Sequence, residues 1–209
     1  MTHTLHRSGT RESLSGDFVF LFMPSAGIND ADSGPKFRKF LEIAQRHNHV
    51  NLGDASYGNM YAKGLQNVMD NVKKEGMTAV HAVFDNEEDA AAMLKDIKEA
   101  DLGLSLVISG IFDRVKGICQ KNGIHRHAAT YSLGIWGKTE KLPPEKVLDI
   151  STMCGHGMIT AARVLSVAED VKAGRKSAED AAEDLAKQCD CGIFNPTRAA
   201  NLLTAMANK

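Results

Sequence analysis

Neither sign of charge is in excess in this chain: Lys and Arg number 25 against 26 Asp and Glu, and no run of five or six like charges occurs. No nucleic-acid partner is expected, because such binding draws most of its affinity from neutralising phosphates. Long apolar runs are missing as well. No stretch approaches the roughly 20 apolar residues that a membrane span needs, and the apolar FVFLFM stops at Pro24. The basic N-terminus has no signal-peptide apolar run behind it, so the expectation is a cytoplasmic protein without a membrane partner. No Walker motif occurs and no G-x-G-x-x-G follows a strand, so nucleotide binding has no support. No G-x-S-x-G elbow marks a serine hydrolase, and no carboxylate pair stands at a spacing that identifies a glycosidase. No internal repeat, heptad or low-complexity tract shows.

What the chain does have is 43% apolar content over 209 residues, enough to bury a sizeable core. Residues 17–23, DFVFLFM, read as a buried strand, and the helix after Ser33-Gly34-Pro35 carries Phe37, Phe40, Leu41 and Ala44 on one face. A Gly- and Asn-rich turn spans 51–59 and a helix about 60–75; TAVHAVF at 78–84 and LGLSLVIS at 102–109 are further strands. Helices follow each of these two, EEDAAAMLKDIKEA capped by Asn86 and GIFDRVKGICQKNG closed by Gly123. HAATYSLGI at 127–135 and VLDIST at 147–152 complete the expected strands. Strands separated by single helices predict an α/β fold: a mostly parallel sheet with helices on both faces. From about residue 153 three alanine-rich helices follow without a strand between them. The expected organisation is an α/β layer domain over 1–152 and a helical C-terminal module over 153–209, packed as one compact unit. That module can pack within the chain or against another copy, as a homo-oligomer would.

Chemistry concentrates in the second part. TMCGHGM places Cys154 and His156 one residue apart between glycines, and CDCGIFNP places Cys189 and Cys191 likewise. Both pairs precede helices, where a helix N-terminus favours the thiolate, the form that binds metals and attacks electrophiles. Clustered cysteines in a reducing compartment more often bind metal than form disulfides. Three thiolates plus an imidazole match tetrahedral zinc, and three cysteines match a [4Fe-4S] cluster whose fourth iron is open or held by His156. Against ordinary core cysteines, Cys189 and Cys191 flank the charged Asp190. Cys119 lies on the apolar side of its helix and reads as a core residue, the reserve candidate for a fourth thiolate.

Around this centre the sequence offers other polar groups. His6, Arg7 and Arg11 in the N-terminal HTLHRSGTR, and Asn29 in the loop after the first strand, are candidate contacts for a carboxylate or phosphate. A solvated arm is the plainer account of the first three. His3 and His6 alone prove nothing, His81 within TAVHAVF reads as a core histidine, and His125 and His127 as a structural pair at a strand end. Lys138 and Lys141 read as exposed loop lysines, and Trp136 as a ring over the core margin. The resulting functional expectation is a metal- or [4Fe-4S]-dependent enzyme acting on a small polar or anionic metabolite. Its chemistry would be that of a lyase (a dehydratase) or an oxidoreductase, with Cys154 and His156 nearest the reaction. Two alternatives stand beside it: a structural zinc site in a non-catalytic binding protein, and a metal-free thiol enzyme with Cys154 as nucleophile and His156 as partner.

Overall fold

The apolar run after Asp17 forms the central strand β1 (Phe18–Met23) of a five-stranded sheet in the computed structural model, which describes residues 3–208. A one-turn helix α1 (Arg11–Leu14) precedes it. Helix α2 (Ser33–Gln45) follows and buries Phe37, Phe40, Leu41 and Ala44, the face their spacing predicts. Next come β2 (Asn51–Asp54), β3 (Gly58–Asn59) and two short helices, α3 (Met60–Lys63) and α4 (Leu65–Asn71). Then follow β4 (Val80–Phe84), α5 (Glu87–Ala100), β5 (Ser105–Ser109) and α6 (Phe112–Lys121). The Asn86 side chain caps α5 by accepting from the Asp89 N–H. Four helices complete the described chain: α7 (Glu145–Ser151), α8 (Ala161–Lys172), α9 (Ala178–Ala186) and α10 (Pro196–Ala207).

The strand order is β3-β2-β4-β1-β5, and every pairing is antiparallel. The expectation of a mostly parallel sheet is therefore wrong. Helix-separated strands do share a direction: β1 and β2 both oppose β4, and β4 and β5 both oppose β1. Each crossover skips one position, however, and the strand filling the gap belongs to the other crossover. This is the split β-α-β arrangement, in which crossover strands are never neighbours. Alternation along β1 then divides the interior in two. Phe18, Phe20 and Phe22 enter a core with α2, α4, α5 and α6, while Val19 and Leu21, with Val83, face α7 to α10.

Other expectations also change. Residues 147–152 lie largely in α7, because Val147 and Ile150 recur at helical spacing and bury one face behind Pro144. Residues 127–135 have no regular structure and are exposed, and among the described residues no strand pairs with them. The turn expected at 51–59 contains β2 and β3, whose polar residues face a buried seam. Among the described residues, no helix is long and apolar enough to cross a membrane.

Candidate metal centre

The C-terminal helices present two loops to the sheet. The first leaves α7 through a turn in which the Cys154 N–H reaches the Ser151 carbonyl at 3.2 Å and the Gly157 N–H the Cys154 carbonyl at 3.0 Å. The second leaves α9 through the same pair of bonds, Cys189 to Ala186 at 3.0 Å and Gly192 to Cys189 at 2.9 Å. Cys154 and Cys189 thus come just after the C-caps Thr152 and Lys187, well ahead of the N-caps Thr160 and Asn195. The field of a helix N-terminus fades within a turn, so it is not what tunes these two thiols.

Sheet and N-terminal side chains hold both loops by their carbonyls. Asn59 donates Nδ2 to Ala186 at 3.1 Å and to Cys189 at 2.8 Å, and Asn51 donates to Phe194 at 2.9 Å. Arg7 donates to the Met153 carbonyl at 3.1 Å and to that of Ile193, so one guanidinium ties the residue before Cys154 to a residue just past Cys191. Its other arm meets both oxygens of buried Asp17, which also accepts from Arg198 at 3.3 Å and Asn195 at 3.1 Å. Gly192, at φ 78°, rests on the backbone of Gly53, where neither residue has room for a β-carbon. Gly155 is pressed in the same way against the His3 carbonyl. Close backbone approach is what these glycines supply.

The three thiols come together. Cys154, Cys189 and Cys191 are each at most 2% exposed, and Cys189 interacts electrostatically with both of the others. The interaction with Cys189, then burial, drives the Cys154 thiol far above the usual range. At Cys189 the effect of Cys154 acts downward but is outweighed by Cys191 and by burial, so its pKa is pushed up to about 12. Cys191 is shifted down by its neighbour Cys189. The row therefore ends in its most acidic member. His156 Nδ1 lies 3.7 Å from that Cys191 sulfur, and the residue is exposed on the solvent side.

Two further imidazoles complete the surroundings. His81, on β4, donates Nδ1–H to the Cys191 carbonyl at 2.7 Å, which leaves the lone pair on Nε2. Burial holds its pKa down at about 3, so the ring is neutral. His3 packs edge-on to His81 with centroids 5.6 Å apart and stacks on His156 at 4.7 Å. Burial, then the neighbouring His156, lowers its pKa to about 4. Nε2 of both His3 and His81 is buried without a hydrogen-bond partner. A bound ion, or water on it, is the kind of group that satisfies such atoms.

No protein-family model, curated protein or solved structure matches the chain. The donor set itself, soft sulfur with borderline imidazole, fits zinc or an iron-sulfur cluster by chemistry. Among the described residues, no three His, Cys, Asp or Glu side chains converge on a common ion position.

The other candidates lie apart from this cluster or are engaged. Arg7 is bound to Asp17 and the two loop carbonyls, a buried clamp rather than an open anion contact. His6 meets the Ser132 hydroxyl at 2.9 Å, and Arg11 pairs with Asp113 at the surface. Asn29 closes its own loop, accepting from the Ser25 N–H at 2.7 Å and donating to the Gly103 carbonyl at 2.8 Å. Cys119 is buried in the core on the opposite face of the sheet, which removes it as a fourth thiolate. His125, His127, Lys138 and Lys141 are exposed, and Trp136, at 83% exposure, covers no core margin. His3 and His81 are the residues that sequence reasoning passed over. Neither carries a local signal, since one comes from the N-terminal segment and the other from a strand interior.

Proposed function

We propose that this protein is a cytoplasmic metal-dependent enzyme whose centre is held by the thiolates of Cys154, Cys189 and Cys191, acting on a small polar or anionic metabolite. One observation carries the reading: three buried thiols from loops 35 residues apart gather in one cluster beside two imidazole nitrogens that lack partners. Bound there, zinc or an iron-sulfur cluster supplies a Lewis acid for lyase-type chemistry or an electron carrier for redox chemistry. Cys191 is the thiol that gives up its proton most readily, Arg7 and Asn59 keep the loops in register, and His156 faces the solvent side from which a metabolite arrives. Cys154 becomes a ligand rather than a nucleophile, because its proton is the most tightly held of the three.

A second reading, a metal-free thiol enzyme, is favoured by the acidic Cys191 next to His156 and would make Cys191 the nucleophile. Anaerobic purification followed by metal, sulfide and absorption analysis decides among these. Brown protein with iron and sulfide, or colourless protein with stoichiometric zinc, supports the metal reading and identifies the group. Cys154→Ser, Cys189→Ser and Cys191→Ser should then each lose the metal. Metal-free protein that is rapidly alkylated at Cys191 and turns over in chelator overturns the metal reading in favour of the second.

A further inference from the structure

The two edges of the sheet are finished differently. At one, β3 is two residues long and runs straight into α3, too short to offer a ladder. At the other, β5 pairs with β1 on its inner side, and among the described residues no strand lies on its outer side. Its sequence, Ser105-Leu106-Val107-Ile108-Ser109, contains neither charge nor proline, the residues that usually blunt an edge. Leu106, Val107 and Ile108 are only half-buried, whereas β4 is buried throughout and β1 up to its last residue. An apolar, unprotected edge is a template for one more strand.

A strand-like segment lies uncovered on the same chain. The connection from α6 to α7 contains one short 3-10 turn, Thr139–Lys141, and every residue from 125 to 142 is exposed. Long connections without regular structure are usually functional. Between His127 and Lys138 this arm carries no charge, and Ala129, Tyr131, Leu133 and Ile135 alternate with Thr130, Ser132 and Gly134. Tyr131 is 60% exposed, Leu133 84%, Ile135 51% and Trp136 83%. Near Phe112 the arm is held to its own chain: the Arg126 guanidinium lies over that ring at 3.6 Å, the Tyr131 ring is 5.1 Å away, and Ser132 meets His6 at 2.9 Å. Phe112 stands three residues past the end of β5. The segment thus passes close to its own edge and leaves it open.

We propose that the protein forms a twofold dimer in which residues 129–135 of each copy add as a strand to the β5 edge of the other. One isologous arrangement then closes two edges and covers two arms. Alternation puts Ala129, Tyr131, Leu133 and Ile135 on one face of the added strand. Set beside Leu106 and Ile108, they extend the phenylalanine core against which both of those residues pack. The small Thr130, Ser132 and Gly134 take the other face. Gly134, at φ 91°, bends the free arm in its middle and extends without steric penalty once paired. The area suffices: burying the four large side chains removes on the order of 500 Å² per copy, and two arms reach the roughly 1,000 Å² that a specific interface needs. No residue of the thiol cluster takes part.

The test is sedimentation velocity of the full chain from about 1 to 100 μM, with hydrogen exchange at the same concentrations. Wild type should pass from monomer to dimer in this range, and the amides of 105–109 and 129–135 should gain protection together as it does. Leu133→Lys and Ile135→Lys should each raise the dissociation constant about tenfold or more. Both positions are exposed in the single chain, so the variants should keep wild-type circular dichroism when dilute. Ile28→Lys, at an 82% exposed position in the loop after β1, should leave the dimer unchanged. A monomer at every concentration overturns the inference, and protection of 129–135 already present in that monomer means that the arm has closed on its own edge. A dimer that both lysine variants of the arm leave undiminished, or that gives 129–135 no protection, uses another surface and overturns it as well.

Discussion

Replacing Arg7 by Met should destabilise the protein by about 3 kcal/mol and loosen both cysteine loops together. The Arg7 and Asp17 side chains are 7% and 1% exposed, so their pairing is made out of reach of water. Breaking a buried ion pair from one side typically costs 3–5 kcal/mol, because the remaining charge stays buried. Asp17 keeps Arg198 and Asn195, which places the loss near the lower end of that range. The Met153 and Ile193 carbonyls lose a donor at the same time. For a chain of this length about 3 kcal/mol lowers the thermal midpoint by roughly 6–12 °C. Urea denaturation of Arg7→Met, Asp17→Asn and the double variant gives the coupling directly, expected at about 2 kcal/mol or more. Thiol-reagent kinetics on the folded single variant should show Cys154 and Cys191 reacting faster than in wild type. A loss below about 1 kcal/mol, the scale of an exposed pair, would refute the argument that this clamp is buried and holds the site.

The metal-free protein should lose stability on mild acidification through His81. Its pKa is depressed to about 3 when folded, against an ordinary value near 6.5, so only the unfolded chain takes up the proton between those limits. The His81 contribution is therefore small above about pH 7 and falls by roughly 1.4 kcal/mol per unit below about pH 6, and His3, lowered to about 4, adds a parallel loss down to that value. Urea midpoints measured from pH 7 to 4.5 check this, and His81→Asn, which can still donate to the Cys191 carbonyl, should flatten the slope; an equal slope would remove His81 as the cause. Gly192→Ala should cost more than about 2 kcal/mol and prevent metal uptake, since it combines a positive φ with a clash against Gly53, whereas Gly174→Ala, at φ 66° in open space, should cost about 1 kcal/mol. Comparable losses in the two would mean that strain alone acts at Gly192.

The sequence by itself determined the elements whose side chains carry a strong period, and it located the chemistry. Phe18 to Met23, Val80 to Phe84 and Ser105 to Ser109 are strands because apolar runs between turn residues have few other ways to be buried, and Asn86 and Asn195 announce their helices by capping. The paired spacing of Cys154 with His156 and Cys189 with Cys191 was legible for the same reason, a local pattern with a local meaning. The direction of the strands was not. A crossover helix requires its two strands to share a direction, but whether they become neighbours depends on β4 and β1 each filling the other's gap, which is a property of the whole sheet. Residues 127–135 alternate like a strand and have no strand partner in the described chain, while Asn51, Leu52, Gly53 and Asp54, with one large apolar residue among them, form β2 because β4 is there to pair with them. The centre divides along the same line. Its thiols come from two short loops, but His81 and His3 reach it from a strand and an N-terminal segment. Contacts between residues distant in the chain decided these, because burial and pairing select partners by position in space, for which single-sequence periodicity holds no record.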